Sequence, residues 1–200
     1  MIEEITNEKE LIETVNSVGA SIQMIHDYLA KNPQFISKNR IRFPRGFIRP
    51  ATYFRDRLLF VENGSLKSNL SYNMMLTDIN HWIIAYTDLS GTALEMVIKW
   101  QIALMTAISE AIIKDVTKTK IGKSNKFCER CNKMVVMKMI TESLKDELHW
   151  LWNIRANIHI GEIDGSEYQK YEMKDYIRAK KVVYTLGEEL RNQNAPEPLC

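Results

Sequence analysis

Glu147-Leu-His-Trp-Leu-Trp-Asn-Ile-Arg-Ala-Asn-Ile-His-Ile-Gly161 is an apolar helix pattern that carries Arg155, Asn157 and His159 towards a terminating glycine. On a helix Arg155 and His159 project from one face a turn apart, with Asn157 off to one side. A guanidinium beside an imidazole suits phosphodiester chemistry: the fork holds charge on phosphoryl oxygens, and the ring moves protons near neutral pH. The competing reading is a surface pair, the histidine merely favouring the negative end of the helix dipole.

Working outward, the helical spacing extends back to about Met134 through Ile140, Leu144, Leu148 and Leu151. Thr141 marks a restart, because Glu142 and Asp146 suit the first turn of a new helix. Gly161 is the expected cap. After the turn Asp164-Gly-Ser166, a last helix is expected from about Glu167 to Asn192, burying Tyr168, Tyr171, Ile177, Val182, Val183, Leu186 and Leu190. The remaining tail, 196–200, is read as frayed.

Residues 114–138 carry Lys114, Lys118, Lys120, Lys123, Lys126, Arg130, Lys133 and Lys138 against Asp115 and Glu129. Lys120 and Lys123 are candidate phosphate contacts, while a solvated charge run at the end of a bundle is the other reading. Gly122-Lys123-Ser124 lacks the earlier glycine and the preceding strand of a phosphate-binding loop. Cys128-Glu-Arg-Cys131 has the spacing of half a zinc site, but no second pair supplies the other ligands. The two thiols are read as small residues packed on a helix, and no metal site and no cofactor are expected.

In the first half, Leu11, Ile12, Val15, Val18, Ile22, Ile25 and Leu29 keep helical spacing behind an Asn7/Glu10 capping box, which predicts a helix over 8–31 ended by Asn32-Pro33. Residues 36–57 are irregular and basic: Lys38, Arg40, Arg42, Arg45, Arg49, Arg55 and Arg57 face the single acid Asp56, interleaved with Phe43, Phe47, Tyr53 and Phe54. Such a mixture can hold phosphates by charge and bases by stacking, which makes Arg40, Arg42, Arg45 and Arg49 candidate RNA contacts. Equally, the aromatics can plug a core under solvated arginines. Asn63-Gly64-Ser65 is a turn before a second long helix through Leu66, Leu70, Met74, Ile79, Ile83 and Tyr86. Asp88-Leu-Ser-Gly91 breaks it, and Thr92 with Glu95 offers a capping box for a third helix through Ile98, Met105 and Ile112.

Two hundred residues suffice for a real core, and a net charge of +2 argues by itself for neither nucleic acid nor membrane. No window approaches the roughly 18 uninterrupted apolar residues of a membrane span. The acidic start, Met1-Ile-Glu-Glu, is unlike a signal peptide. A cytoplasmic protein with reduced thiols and no membrane partner is therefore expected; three cysteines, an odd number, do not make a disulfide framework.

Every segment reads as helix and none has a strand's two-residue period, so the expected fold is all-α, an up-and-down bundle over 65–195 with residues 1–64 as an N-terminal helical extension. A helical hairpin followed by a helix ending in Trp152-Asn-Ile-Arg155-Ala-Asn157-Ile-His159-Ile-Gly161, then a helix rich in alanine, valine and leucine, resembles the bacterial HEPN domains over about residues 65–193. That resemblance implies a metal-independent endoribonuclease of toxin or phage-defence type, acting as a homodimer on RNA, with an antitoxin or defence-system protein as a further partner. It implies Arg155 as the phosphate-binding residue, His159 as general acid or base, and Asn157 as a positioning residue. The family spacing puts four to six residues between arginine and histidine; here three separate them, and Ala156 stands where a polar residue is common. The alternative is a non-catalytic HEPN module binding RNA, nucleotide or protein, and beyond it a helical interaction protein without a nucleic-acid role.

Overall fold

A computed structural model of the chain describes residues 4–121, 126–156 and 170–193. Among them every regular element is helical. The chain divides into two compact units, Met1–Pro44 and Arg45–Cys200.

The first unit is built on α1 (Glu8–Lys31). Asn7 Oδ1 accepts from the Glu10 N–H at 3.0 Å, and the Glu10 carboxylate reaches back to the Thr6 N–H at 2.9 Å, so donors of the first turn are satisfied from both directions. Asn32 closes the helix and Pro33–Phe35 follow as one 3-10 turn, Phe35 stacking on Tyr28. None of the residues of α1 is buried. Its apolar stripe, from Leu11 to Ile25, lies open.

The second unit is assembled on α4 (Gly91–Val116), against which α3 (Gly64–Tyr86), α5 (Phe127–Val136), α6 (Glu142–Ala156) and α7 (Met173–Gln193) all pack. A short helix, α2 (Ala51–Arg55), packs on α3. Asn63 is the N-cap of α3, its side chain accepting from the Leu66 N–H, so the turn read from Asn63-Gly64-Ser65 is the start of the helix. Asn80 bonded to Gln101, and Glu62 N–H to Asp115, show α3 and α4 running antiparallel. By length and composition α4 could cross a membrane; here over half of its most apolar window is buried within the bundle. Ile98, Ile102, Met105, Ile108 and Ile112 form the spine of that core.

Two helix boundaries differ from the sequence reading. α4, by contrast, opens beside the expected Thr92, through Gly91, whose φ of +59° is a left-handed conformation that glycine adopts without cost. The helix expected from Met134 is interrupted. Helix α5 closes in a Schellman turn, with Met139 N–H to Met134 O and Lys138 N–H to Val135 O, both 2.8 Å, and with Lys138 in the left-handed position at φ +57°. Thr141 then restarts the chain as α6, its hydroxyl accepting from the Leu144 N–H. The last helix begins at Met173 instead of Glu167; residues 170–172 are non-helical, and Tyr171 is buried ahead of the helix.

Tyr176, Ala179, Val182, Leu186 and Leu190 are the buried stripe of α7. Ile177, expected inside, is out of phase with it and 59% exposed; Tyr168 and Gly161 lie outside the described residues. Truncating Leu186 to alanine is expected to cost roughly 2–5 kcal/mol through the cavity left. Ile177→Ala is expected to change stability by less than about 0.5 kcal/mol. Urea denaturation of the two variants measures this, and equal losses would mean that α7 presents a different face to the core.

Candidate functional site

Arg155 occupies the last turn of α6, with its side chain 36% exposed. Its guanidinium lies 5.1 Å from the centre of the Trp152 ring, and that ring stacks on Phe127, the first residue of α5, at 4.6 Å and 9°. A second contact fixes the other side: Nη1 is 3.7 Å from a carboxylate oxygen of Glu110 on α4. The other oxygen of Glu110 takes the Lys114 ammonium at 2.6 Å. Arg155 is thus joined to two parts of the second basic segment, to Lys114 through a shared carboxylate and to the start of α5 through a stacked ring pair. Lys120, between them in sequence, is exposed. Asn157, His159 and Lys123 lie outside the described residues.

The first basic segment divides between the two units. Arg40 and Arg42 are exposed in the first, and Arg45 is exposed at the start of the second. Arg49 is engaged: its backbone N–H and Nε reach Asp78 Oδ2 at 2.9 and 3.0 Å, and Nη2 reaches Oδ1 at 2.5 Å. Its guanidinium also lies over Tyr53 and Phe54. The hydrogen bond to Asp78 holds the Arg49 pKa above its ordinary value. Arg57 stacks on Tyr53 at 3.6 Å, and Phe54 is buried. The alternation of arginine and aromatic residues is therefore used, in this segment, for contacts internal to the fold.

His81 Nδ1 is 2.7 Å from the hydroxyl of Tyr176, a residue of α7 that lies 95 positions away in the sequence. Burial, then the Lys180 ammonium, lowers the His81 pKa below its ordinary 6.5. Burial pushes the Tyr176 phenol up to about 12. Near neutral pH both groups are therefore uncharged, and the imidazole tautomer sets which of them donates. This pair borders a cleft of about 530 Å³. α3 and α7 both pack on α4 and meet each other through the His81 and Tyr176 side chains, and residues of α4 line the base of the cleft between them.

Cys131 is fully buried and Cys128 partly so, both as free thiols. Burial raises the Cys131 pKa to about 12, far from a reactive thiolate. Among the described residues no group of three or more His, Cys, Asp or Glu side chains is placed to hold a metal ion. Comparison with protein-family models, with curated proteins and with solved structures returned no match.

Because His81 is harder to protonate folded than unfolded, it contributes stability that is present above about pH 6.5 and lost as pH falls through its depressed folded-state value. Melting temperatures at pH 7.5 and pH 5.5 should therefore differ more in the wild type than in His81→Gln. An identical pH dependence in the two proteins would show that the ring is not shielded as described.

Proposed function

We propose that the chain is a metal-independent endoribonuclease of the HEPN kind, cytoplasmic and acting as a homodimer. His159 takes the proton of a ribose 2′-hydroxyl or returns one to the leaving 5′-oxygen. Arg155 neutralises charge that builds on the phosphoryl oxygens as the 2′-oxygen attacks, and Asn157 positions the phosphate. Bond making and breaking at one phosphorus leaves a 2′,3′-cyclic phosphate and a free 5′-hydroxyl. The observation that carries this reading is the half-open Arg155 guanidinium, held by Trp152 and Glu110 beside Lys114. Arg40, Arg42, Arg45, Lys120 and Lys123 would contribute sequence-independent phosphate contacts. An antitoxin or defence-system protein would restrain the activity.

A second reading, the non-catalytic module that binds RNA, nucleotide or a protein partner, is favoured by the same ion pair. Glu110 compensates part of the Arg155 charge, and a guanidinium so compensated stabilises a developing phosphoryl charge less than an uncompensated one. The short interval to His159 and the alanine at 156 point the same way.

The decisive assay is cleavage of a mixed RNA pool in excess EDTA by the wild type, Arg155→Ala and His159→Ala. The enzyme reading expects cyclic-phosphate ends from the wild type and losses of about 100-fold or more in each variant. RNA binding without cleavage by a folded, dimeric wild type would select the second reading. Neither binding nor cleavage would remove both.

A further inference from the structure

Gln101, Met105, Ile108 and Ile112 follow one another along α4 at intervals of four, three and four, so they share a face, and all four border the cleft. Gln101 is fully buried. Its Oε1 accepts from Asn80 Nδ2 at 2.7 Å, which fixes the amide, and its Nε2 has no hydrogen-bond partner. A buried donor held in this way, with nothing to donate to, is costly to a fold and rare in one.

The charge around the cleft is cationic. Asp78, a carboxylate on its border, is occupied by the three bonds from Arg49. Lys180 borders the cleft from α7, close enough to His81 to act on its ionisation, and Arg57 borders it from the stretch that follows α2. Below these groups the floor is hydrocarbon.

We propose that the cleft binds one long-chain carboxylate, its head group taken by Gln101 Nε2 and Lys180 and its hydrocarbon chain lying along Met105, Ile108 and Ile112. The acceptor oxygens of the head satisfy the orphaned amide, and the ammonium neutralises its charge without a second buried ion. The eleven steps from Gln101 to Ile112 span about 16 Å of helix, the length of an extended chain of about a dozen carbons. The volume of 530 Å³ falls within the usual range of small-molecule sites. No part of this reading depends on Arg155, His159 or RNA.

Dodecanoate below its micelle concentration is the probe, titrated calorimetrically into the full chain, with octanoate and dodecanol as controls. One-to-one binding is expected, at least tenfold weaker for octanoate, which covers less of the floor, and for dodecanol, which lacks the charge. Lys180→Glu should weaken dodecanoate binding at least tenfold, and Gln101→Leu should weaken it while leaving dodecanol unaffected. Gly187→Leu adds bulk at the cleft border: Gly187 borders the cleft, and a Cβ built there meets no atom within 4 Å, so the added side chain starts in open space; the melting temperature of the variant checks that it is folded. Stoichiometry well above one, equal affinity for dodecanol and dodecanoate, or undiminished binding in both Lys180→Glu and Gly187→Leu would overturn the proposal.

Discussion

A helix as apolar as α4 is stable only if other chain covers most of its surface, and α4 imposes that demand on the second unit, leaving a stripe through Ala93, Trp100, Ala107 and Lys114 open. Four of the other helices answer it directly. The polar residues of α4 are of a kind that survives such burial. Thr106 and Ser109 return their hydroxyl donors to carbonyls one turn back, at Ile102 and Met105, so neither needs a neighbouring helix. Gln101 cannot do this with a side chain of its length, and it depends on Asn80 for one of its two polar ends. Glu110, nearer the end of the helix, is open enough to reach outward to Lys114 and Arg155. Both places where the molecule presents unusual chemistry are therefore departures from the apolar rule of one helix.

The Arg49–Asp78 contact plays the matching part for the stretch that precedes α3. Asp78 is 4% exposed, and a carboxylate that far from water needs both charge compensation and hydrogen bonds. Arg49 supplies three, one of them from its own backbone, so the peptide chain and the side chain are fixed together. Once residue 49 is pinned to α3, Phe54, Leu58, Phe60 and Val61 follow it into buried positions. Removing either partner would leave the other unmatched, which is why such pairs behave as structural locks even where their net contribution is small.

The helices with local punctuation were legible in the sequence. α1 begins and ends as its Asn7, Glu10 and Asn32-Pro33 signals require, and the restart at Thr141 was visible from the acids that follow it. What was not legible had no local mark. The Schellman turn places a lysine where a glycine is the usual signal, so the end of α5 passed for continuous helix. In α7 the phase was drawn through Ile177, although Tyr176 and Ala179, a tyrosine and a small residue that a hydrophobic count undervalues, carry the buried stripe. The His81–Tyr176 pair and the Arg49–Asp78 clamp join residues 95 and 29 positions apart, and no spacing rule reaches across such distances. The cleft depends on how α3 and α7 sit side by side on α4, a property of the assembled bundle alone.

The Arg155 cluster differs from the Arg49 clamp in strength, and that difference bears on what each can do. Asp78 is buried and gripped at 2.5–3.0 Å, so Arg49 cannot leave it for another anion without exposing an uncompensated charge. Arg155 stands 3.7 Å from Glu110, with both side chains partly exposed, a geometry whose net value in water is small. Glu110 also has a closer partner in Lys114, at 2.6 Å. If Arg155 turned towards an incoming phosphate, the carboxylate would keep its neutralising ammonium, and Trp152 would still support the guanidinium plane. The carboxylate therefore positions the arginine without committing it, whereas Arg49 is committed to Asp78.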